Sequence, residues 1–236
     1  MPPITLKDFF FNPILDRHST LSDPNGDLDP DVNNQNYDRS ANYCNYETAE
    51  DLNEVIRSNN LISFSLLHLN ARSLVKTQDA LAHLLANISH KFSVLAITES
   101  WLKESNVYNL SFEGYNFVNN HRADKIGGGV GLFIDQNFSY KILPEFNVSH
   151  ANIIESLFVE IYIPRHKNIV TGVIYRPPSE NTLEFVDKVN ETISGVTKNN
   201  KHCSITGDFN LDLLKHESHS VTAQFIESLL LLVYYN

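Results

Sequence analysis

A chain of 236 residues with 42% apolar side chains suits one large or two small domains and can bury a core. Its charge is uneven, since the first sixty residues hold 4 Lys+Arg and 11 Asp+Glu, carrying −7 of the net −10 and leaving −3 on the rest. That mildly acidic remainder excludes the broad basic footprint of a tight nucleic-acid binder, so any grip on nucleic acid must be local and metal-dependent, or rest on other parts of a longer protein. Cys44 and Cys203 lie far apart, which argues against a disulfide framework and for a reducing intracellular compartment, nucleus or cytoplasm.

In chain order, Phe9-Phe10-Phe11 beside Lys7 and Asp8 is too short for a signal sequence. The sequons at Asn87, Asn109, Asn137, Asn147 and Asn190 therefore read as chance matches in an Asn-rich chain. Residues 12–60 are rich in Asn, Asp, Ser and Pro, with turn signals at Asp23-Pro24-Asn25-Gly26 and Asp29-Pro30. Such a stretch cannot bury enough surface to offset its ordering entropy, so residues 1–60 are expected to form a mostly disordered acidic leader, with a short helix around 49–57.

From residue 61 the pattern changes. Apolar runs at 61–69 and 92–98 read as strands, and Ala80, Leu81, Leu84, Leu85 and Ile88 recur at helical spacing between them, predicting a helix over 77–90 and a βαβ unit. Strand-like segments follow at 115–118, 129–134, 153–163 and 169–175, the last ended by Pro177-Pro178. A helix is predicted over 182–193, a strand over 202–206 and a last helix over 221–232. The uncharged stretch 229–235 is far shorter than a membrane span, so no membrane is expected as a partner. The order implies a layered α/β sandwich of two mixed sheets flanked by helices.

Three of these strands end in oxygen-bearing side chains: Asn70 after the first, Glu99 after the second, and Asp208 with Asn210 in the Gly207-Asp208-Phe209-Asn210 turn after the strand at 202–206. Packing alone does not ask for such residues at three strand ends, and the convergence reads as one active site. The strings HLNARSL (68–74), ITESWL (97–102), GGGVGLFI (127–134), ESLFVEI (155–161), GVIYRPP (172–178) and TGDFNLDLL (206–214) occur in this order. Together they resemble the endonuclease domain of LINE-type, non-LTR retrotransposons, a branch of the endonuclease/exonuclease/phosphatase superfamily, over residues 61–236.

The resemblance implies a Mg²⁺-dependent phosphodiesterase, Mn²⁺ serving as an alternative ion, which nicks DNA so that the freed 3′-hydroxyl primes a reverse transcriptase carried by a full-length parent protein. It implies Glu99 as principal metal ligand and Asn70 as a second, weaker or water-mediated one. Asp208 would orient and deprotonate the attacking water, Asn210 would contact the scissile phosphate, and Tyr175 would bond the phosphate or the leaving oxygen. Arg176 would pair with a flanking phosphate through its planar fork; apart from the resemblance, Arg122 and His121 before the glycines at 127–129 read either as contacts to the DNA backbone or as solvated residues. Asn70 has a competing reading as a turn cap. Trp101 reads as packing, Gly127-Gly128-Gly129 as a bend, and Asp212 as a capping or surface residue.

The family pattern continues with a further Asp and a Ser-Asp-His motif, neither of which is found before Asn236, and Pro178 stands where apurinic endonucleases have an Asn. The expectation is a domain incomplete at its C-terminus, with an impaired site and an unpaired sheet edge. Two other readings stay open: a phosphomonoesterase or phosphoinositide phosphatase of the same superfamily, and an inert relic or binding module that keeps the fold.

Overall fold

The computed structural model describes residues 48–58, 64–106, 110–122, 127–150, 152–178, 181–198 and 202–234. Most of the expected leader, Cys44 and the start of the strand expected over 61–69 lie outside these residues. In chain order the elements are α1 (Ala49–Ser58), β1 (Leu66–Asn70), α2 (Leu74–Asn87), β2 (Val94–Thr98), β3 (Tyr115–Asn120), β4 (Val130–Asp135) and β5 (Tyr140–Ile142). They continue with β6 (Ser149–His150), β7 (Ile154–Ile161), β8 (Ile169–Tyr175), α3 (Thr182–Thr197), β9 (His202–Asp208) and α4 (Ser220–Tyr234).

Parallel neighbours need a crossover connection, and the chain meets that need twice. β1 passes through α2 to pair in parallel with β2, and β8 passes through α3 to pair in parallel with β9. Antiparallel partners complete two sheets, one in the order β1-β2-β4-β3 and the other β5-β7-β8-β9, with β6 also on β7.

Side-chain alternation along each strand then builds four layers. Val94, Ala96, Val130, Leu132 and Ile134 of the first sheet meet Leu157, Val159, Ile161 and Val173 of the second in an apolar seam between the sheets. The opposite parity, Leu67, Leu69, Leu95, Ile97 and Phe133, packs with Leu52, Leu74 and Leu81 of α1 and α2. On the far side Ile154, Phe158, Val170 and Ile174 pack with Phe185, Val186, Val189 and Phe225 of α3 and α4. Strands such as β2, β7 and β8 are buried along their whole length because both of their faces are covered.

The layered α/β sandwich expected from the sequence is the architecture found. Two details differ. The helix predicted over 77–90 is α2, three residues earlier, because the Leu74 amide is already drawn in by the Ser100 carbonyl at 2.9 Å and Ile88 turns extended with its side chain buried. The short β5 and β6 were not anticipated, since strands of three and two residues hold too few positions to show a period.

Among the described residues no helix is long and apolar enough to cross a membrane.

Candidate active site

Both parallel pairs end at the same end of the sandwich, Asn70 beside Thr98 and Tyr175 beside Asp208. The parity that fills the seam between the sheets carries on to Asn70, Glu155, Tyr175 and Asp208, so polar groups replace apolar ones where the seam opens. There one side chain joins groups carried by both sheets. Asn70 Nδ2 donates to Glu99 Oε1 at 3.0 Å and to Asp208 Oδ2 at 2.6 Å. Its own Oδ1 accepts from the Arg72 amide at 3.2 Å, so the side chain caps a turn and meets both carboxylates at once.

Glu99 follows β2 in a tight bend with φ +49°, and Trp101 lies at φ +53°. Left-handed backbone is costly for residues with a Cβ and persists where surrounding bonds enforce it. Here the Ser100 amide donates to Gly129 O at 3.0 Å, the Trp101 amide to Gly128 O at 2.9 Å, and Glu99 O accepts from the Ser73 amide at 2.9 Å. The bend brings the Trp101 indole Nε1 to 3.2 Å from Glu99 Oε2.

The turn after β9 is tied just as closely. Asp208 Oδ1 accepts the Asn210 amide at 3.1 Å, an Asx turn that holds Asn210 at φ +45°. Asn210 Nδ2 donates back to Arg176 O at 2.7 Å. Gly207 admits no side chain at this point: a Cβ would strike the Ile174 carbonyl of β8. Asp212 caps the next 3-10 turn by accepting from the Leu214 amide at 3.2 Å.

Two of the basic residues assigned to DNA are placed differently. Arg176 is 5% exposed, and its guanidinium donates to Phe209 O at 2.7 Å and to Asn210 O. It braces the Asp208 turn from beneath instead of facing a flanking phosphate, because a buried fork finds its acceptors in the turn's own carbonyls. Arg122 forms a close ion pair with Glu155, its Nε and Nη2 both on Oε1. Glu155 Oε2 accepts the Gly129 amide, so Arg122 is engaged by a buried partner rather than turned toward a DNA backbone.

Glu155 has no part in the sequence-based site, yet it stands next to it. Burial pushes its carboxyl above the usual value, Arg122 and the Gly129 amide pull against that, and the Glu99 charge adds to the rise. Tyr175 is 4% exposed, and burial followed by the charges of Glu99, Asp208 and Glu155 drives its phenol well above the ordinary value. A signal for Glu155 existed in the sequence, an acid near the start of a buried strand, but Glu160 gives the same signal in the same strand and nothing local said which acid would face the site.

Among the described residues no three His, Cys, Asp or Glu side chains gather into a closed metal cage. The donor set still fits a hard divalent cation. Two carboxylates share one neutral amide nitrogen, with a third carboxylate close enough to be felt, and Mg²⁺ takes only one or two protein carboxylates and fills its shell with water.

Compared by sequence, the chain matches no family model and no curated protein. Its fold does have solved counterparts. The endonuclease domain of TRAS1, a telomere-specific non-LTR retrotransposon, aligns at 14% identity and TM-score 0.54, over 72% of this chain and 70% of that one. The AP endonuclease LMAP from Leishmania major aligns at 16% identity and TM-score 0.52, over 73% of this chain and 66% of that one. The chain spans about two thirds of the length of these structures. Two mixed sheets face to face, flanked by helices, are thus a fold this chain shares with those two nucleases.

Proposed function

We propose that this chain is a divalent-metal-dependent phosphodiester hydrolase acting on DNA, of the nicking kind that LINE-type retrotransposons use to prime a reverse transcriptase in the same parent protein. The observation that carries the reading is the meeting of Asn70, Glu99 and Asp208, from strands of both sheets, through the single amide of Asn70. Likeness to the TRAS1 domain supports the retrotransposon branch in particular.

Glu99 would hold Mg²⁺, with Mn²⁺ as a substitute, and Asn70 would be a second ligand only through Oδ1, the oxygen that here accepts the Arg72 amide. When bound there, the ion supplies neutralisation of the negative charge that grows on the phosphoryl group. Asp208 is fixed through both oxygens, one by the Asn210 amide and one by Asn70, and keeps lone pairs to orient a water and take its proton. Asn210 uses one Nδ2 hydrogen on Arg176 O and has a second for a phosphate oxygen. The Tyr175 phenol, its pKa raised, stays protonated at neutral pH and donates to the phosphate or the leaving 3′-oxygen. Arg176 supports this arrangement from below by holding the Phe209 and Asn210 carbonyls.

A plasmid-nicking assay tests the proposal. With Mg²⁺ the protein should convert supercoiled plasmid to the open circle. Asp208→Asn should lower the rate about 10²- to 10⁴-fold, the usual contribution of a positioned base, and excess chelator should abolish nicking. Turnover of inositol phosphates in place of plasmid would move the assignment to the phosphatase branch. Folded protein that binds neither Mg²⁺ nor Mn²⁺ and turns over neither substrate would leave the inert module.

A further inference from the structure

The chain has one tryptophan, and it touches the carboxylate to which the metal is assigned. We propose that Trp101 is a positioning residue for Glu99, fixing its carboxylate for the cation through the indole N–H, and that its emission reports the bound ion. This rests on the proposed metal-dependent function.

Glu99 has two oxygens, and each takes a neutral donor, Oε1 from Asn70 Nδ2 at 3.0 Å and Oε2 from Trp101 Nε1 at 3.2 Å, while the Tyr175 phenol is hydrogen-bonded to the same carboxylate. A carboxylate offers about four lone-pair sites, so these bonds fix its plane and still leave acceptor capacity. A Lys or Arg in the place of Trp101 would also orient the group, but its charge would oppose an arriving cation. The indole is a donor without charge, so it orients and does not compete. Hydrogen-bond partners that orient metal ligands in this way commonly contribute tenfold or more to affinity.

The backbone singles out the same residue. Trp101 sits at φ +53°, a region bulky side chains seldom enter, and two carbonyls of the glycine bend, Gly129 on the Ser100 amide and Gly128 on the Trp101 amide, hold it there. Gly128 itself lies at φ +65°, with Arg122 and Glu155 filling the space a Cβ would need. A chain of contacts thus runs from the Arg122–Glu155 pair through the Gly129 amide to the bend that aims the indole.

The test uses the full chain, with Mg²⁺ and Mn²⁺ as probes. Calorimetric titration gives the affinity, and tryptophan emission during the same titration gives an independent signal. The expected result is a change in emission that saturates with the calorimetric affinity and is absent in Glu99→Gln. Trp101→Phe, with unchanged circular dichroism and thermal unfolding, should bind the ion about tenfold more weakly. If wild-type protein binds metal while its emission stays constant, or Trp101→Phe binds as tightly as wild type, the positioning role is overturned and the enzymatic reading survives. If folded wild-type protein binds no ion at all, both fall. The emission titration needs no variant, so misfolding of Trp101→Phe would not shelter the proposal.

Discussion

At the scale of single residues, the polar rim depends on pairs that cross from one sheet to the other, and the Arg122–Glu155 pair is the most exposed to mutation. Glu155 is 1% exposed, and its carboxyl is already raised by burial and by Glu99, with Arg122 and the Gly129 amide as its compensation. Arg122→Met removes the cation and leaves a buried carboxylate, which costs about 3 kcal/mol or more in proteins generally. The pH dependence of that loss has a definite sign. An acid whose folded pKa lies above its unfolded value binds its proton more tightly when folded, so its ionisation costs stability as pH rises above 4.5, and acid relieves the cost. Urea unfolding at pH 7.5 and 5.5 should therefore show a deficit of Arg122→Met against wild type that shrinks at the lower pH, and a deficit independent of pH would contradict it. Asn70, Glu99 and Asp208 were legible in the sequence because each ends an apolar strand, and strand ends are local. Arg122 and Arg176 were not, because whether an arginine meets a phosphate or a protein acceptor depends on the opposite sheet or the neighbouring turn, at separations of 33 and 34 residues.

At the scale of elements, α4 matters to the site without reaching it. Phe225, fully buried on α4, lies 4.8 Å from the Phe209 ring of the Asp208 turn and 5.8 Å from Phe185 of α3, centroid to centroid. Phe209 is thus the apolar peg by which the turn is seated on the helices, while Arg176, its guanidinium 5.9 Å over the Phe185 ring, holds the turn's carbonyls. Phe225→Ala should cost about 3 to 5 kcal/mol in urea unfolding, as large-to-small changes in a core do. Nicking by the folded fraction should fall as well, because the turn that aims Asp208 loses its seat; full activity per folded molecule would show that Arg176 and the Asx turn suffice. A cheaper probe of the same turn is Gly207→Ala, whose Cβ meets the Ile174 carbonyl across the β8–β9 ladder. It should lower the unfolding midpoint measurably, since backbone on both strands has to shift. The β1–α2–β2 unit, α3 and α4 were readable from spacing, as 3.6-residue and buried-run patterns extend over enough positions to show; the parallel pairing of β8 with β9, across α3, was not. The helix ends were less so: α2 begins where the Ser100 carbonyl catches its first amide, a contact 26 residues away that no local pattern records.

At the scale of the whole molecule, two sheets close on a seam that is apolar along most of its length and, among the described residues, admits one buried histidine. His68 stands on β1 in the parity of Leu66 and Asn70, 6% exposed, with Nε2 3.1 Å from Thr98 Oγ1 of β2. Burial lowers its pKa from 6.5 to about 4. The imidazole is therefore carried neutral in the folded protein, while in the unfolded chain it takes up a proton near pH 6.5. Because the folded pKa lies below the unfolded one, its contribution is fully present above pH 6.5 and is lost as pH falls toward 4. That loss is on the order of 3 kcal/mol, since each tenfold change in proton affinity between the folded and unfolded chain is worth about 1.4 kcal/mol. Glu155 runs the other way, and a comparison that holds it constant isolates the histidine. His68→Gln keeps a hydrogen-bonding group beside Thr98 and cannot titrate. Between pH 7 and pH 4 the wild type should lose stability that His68→Gln retains, by roughly that amount, in parallel urea titrations. Equal slopes for the two proteins would mean that water or a rearranged β1 solvates the ring, and that the seam between the sheets is open at this level rather than closed.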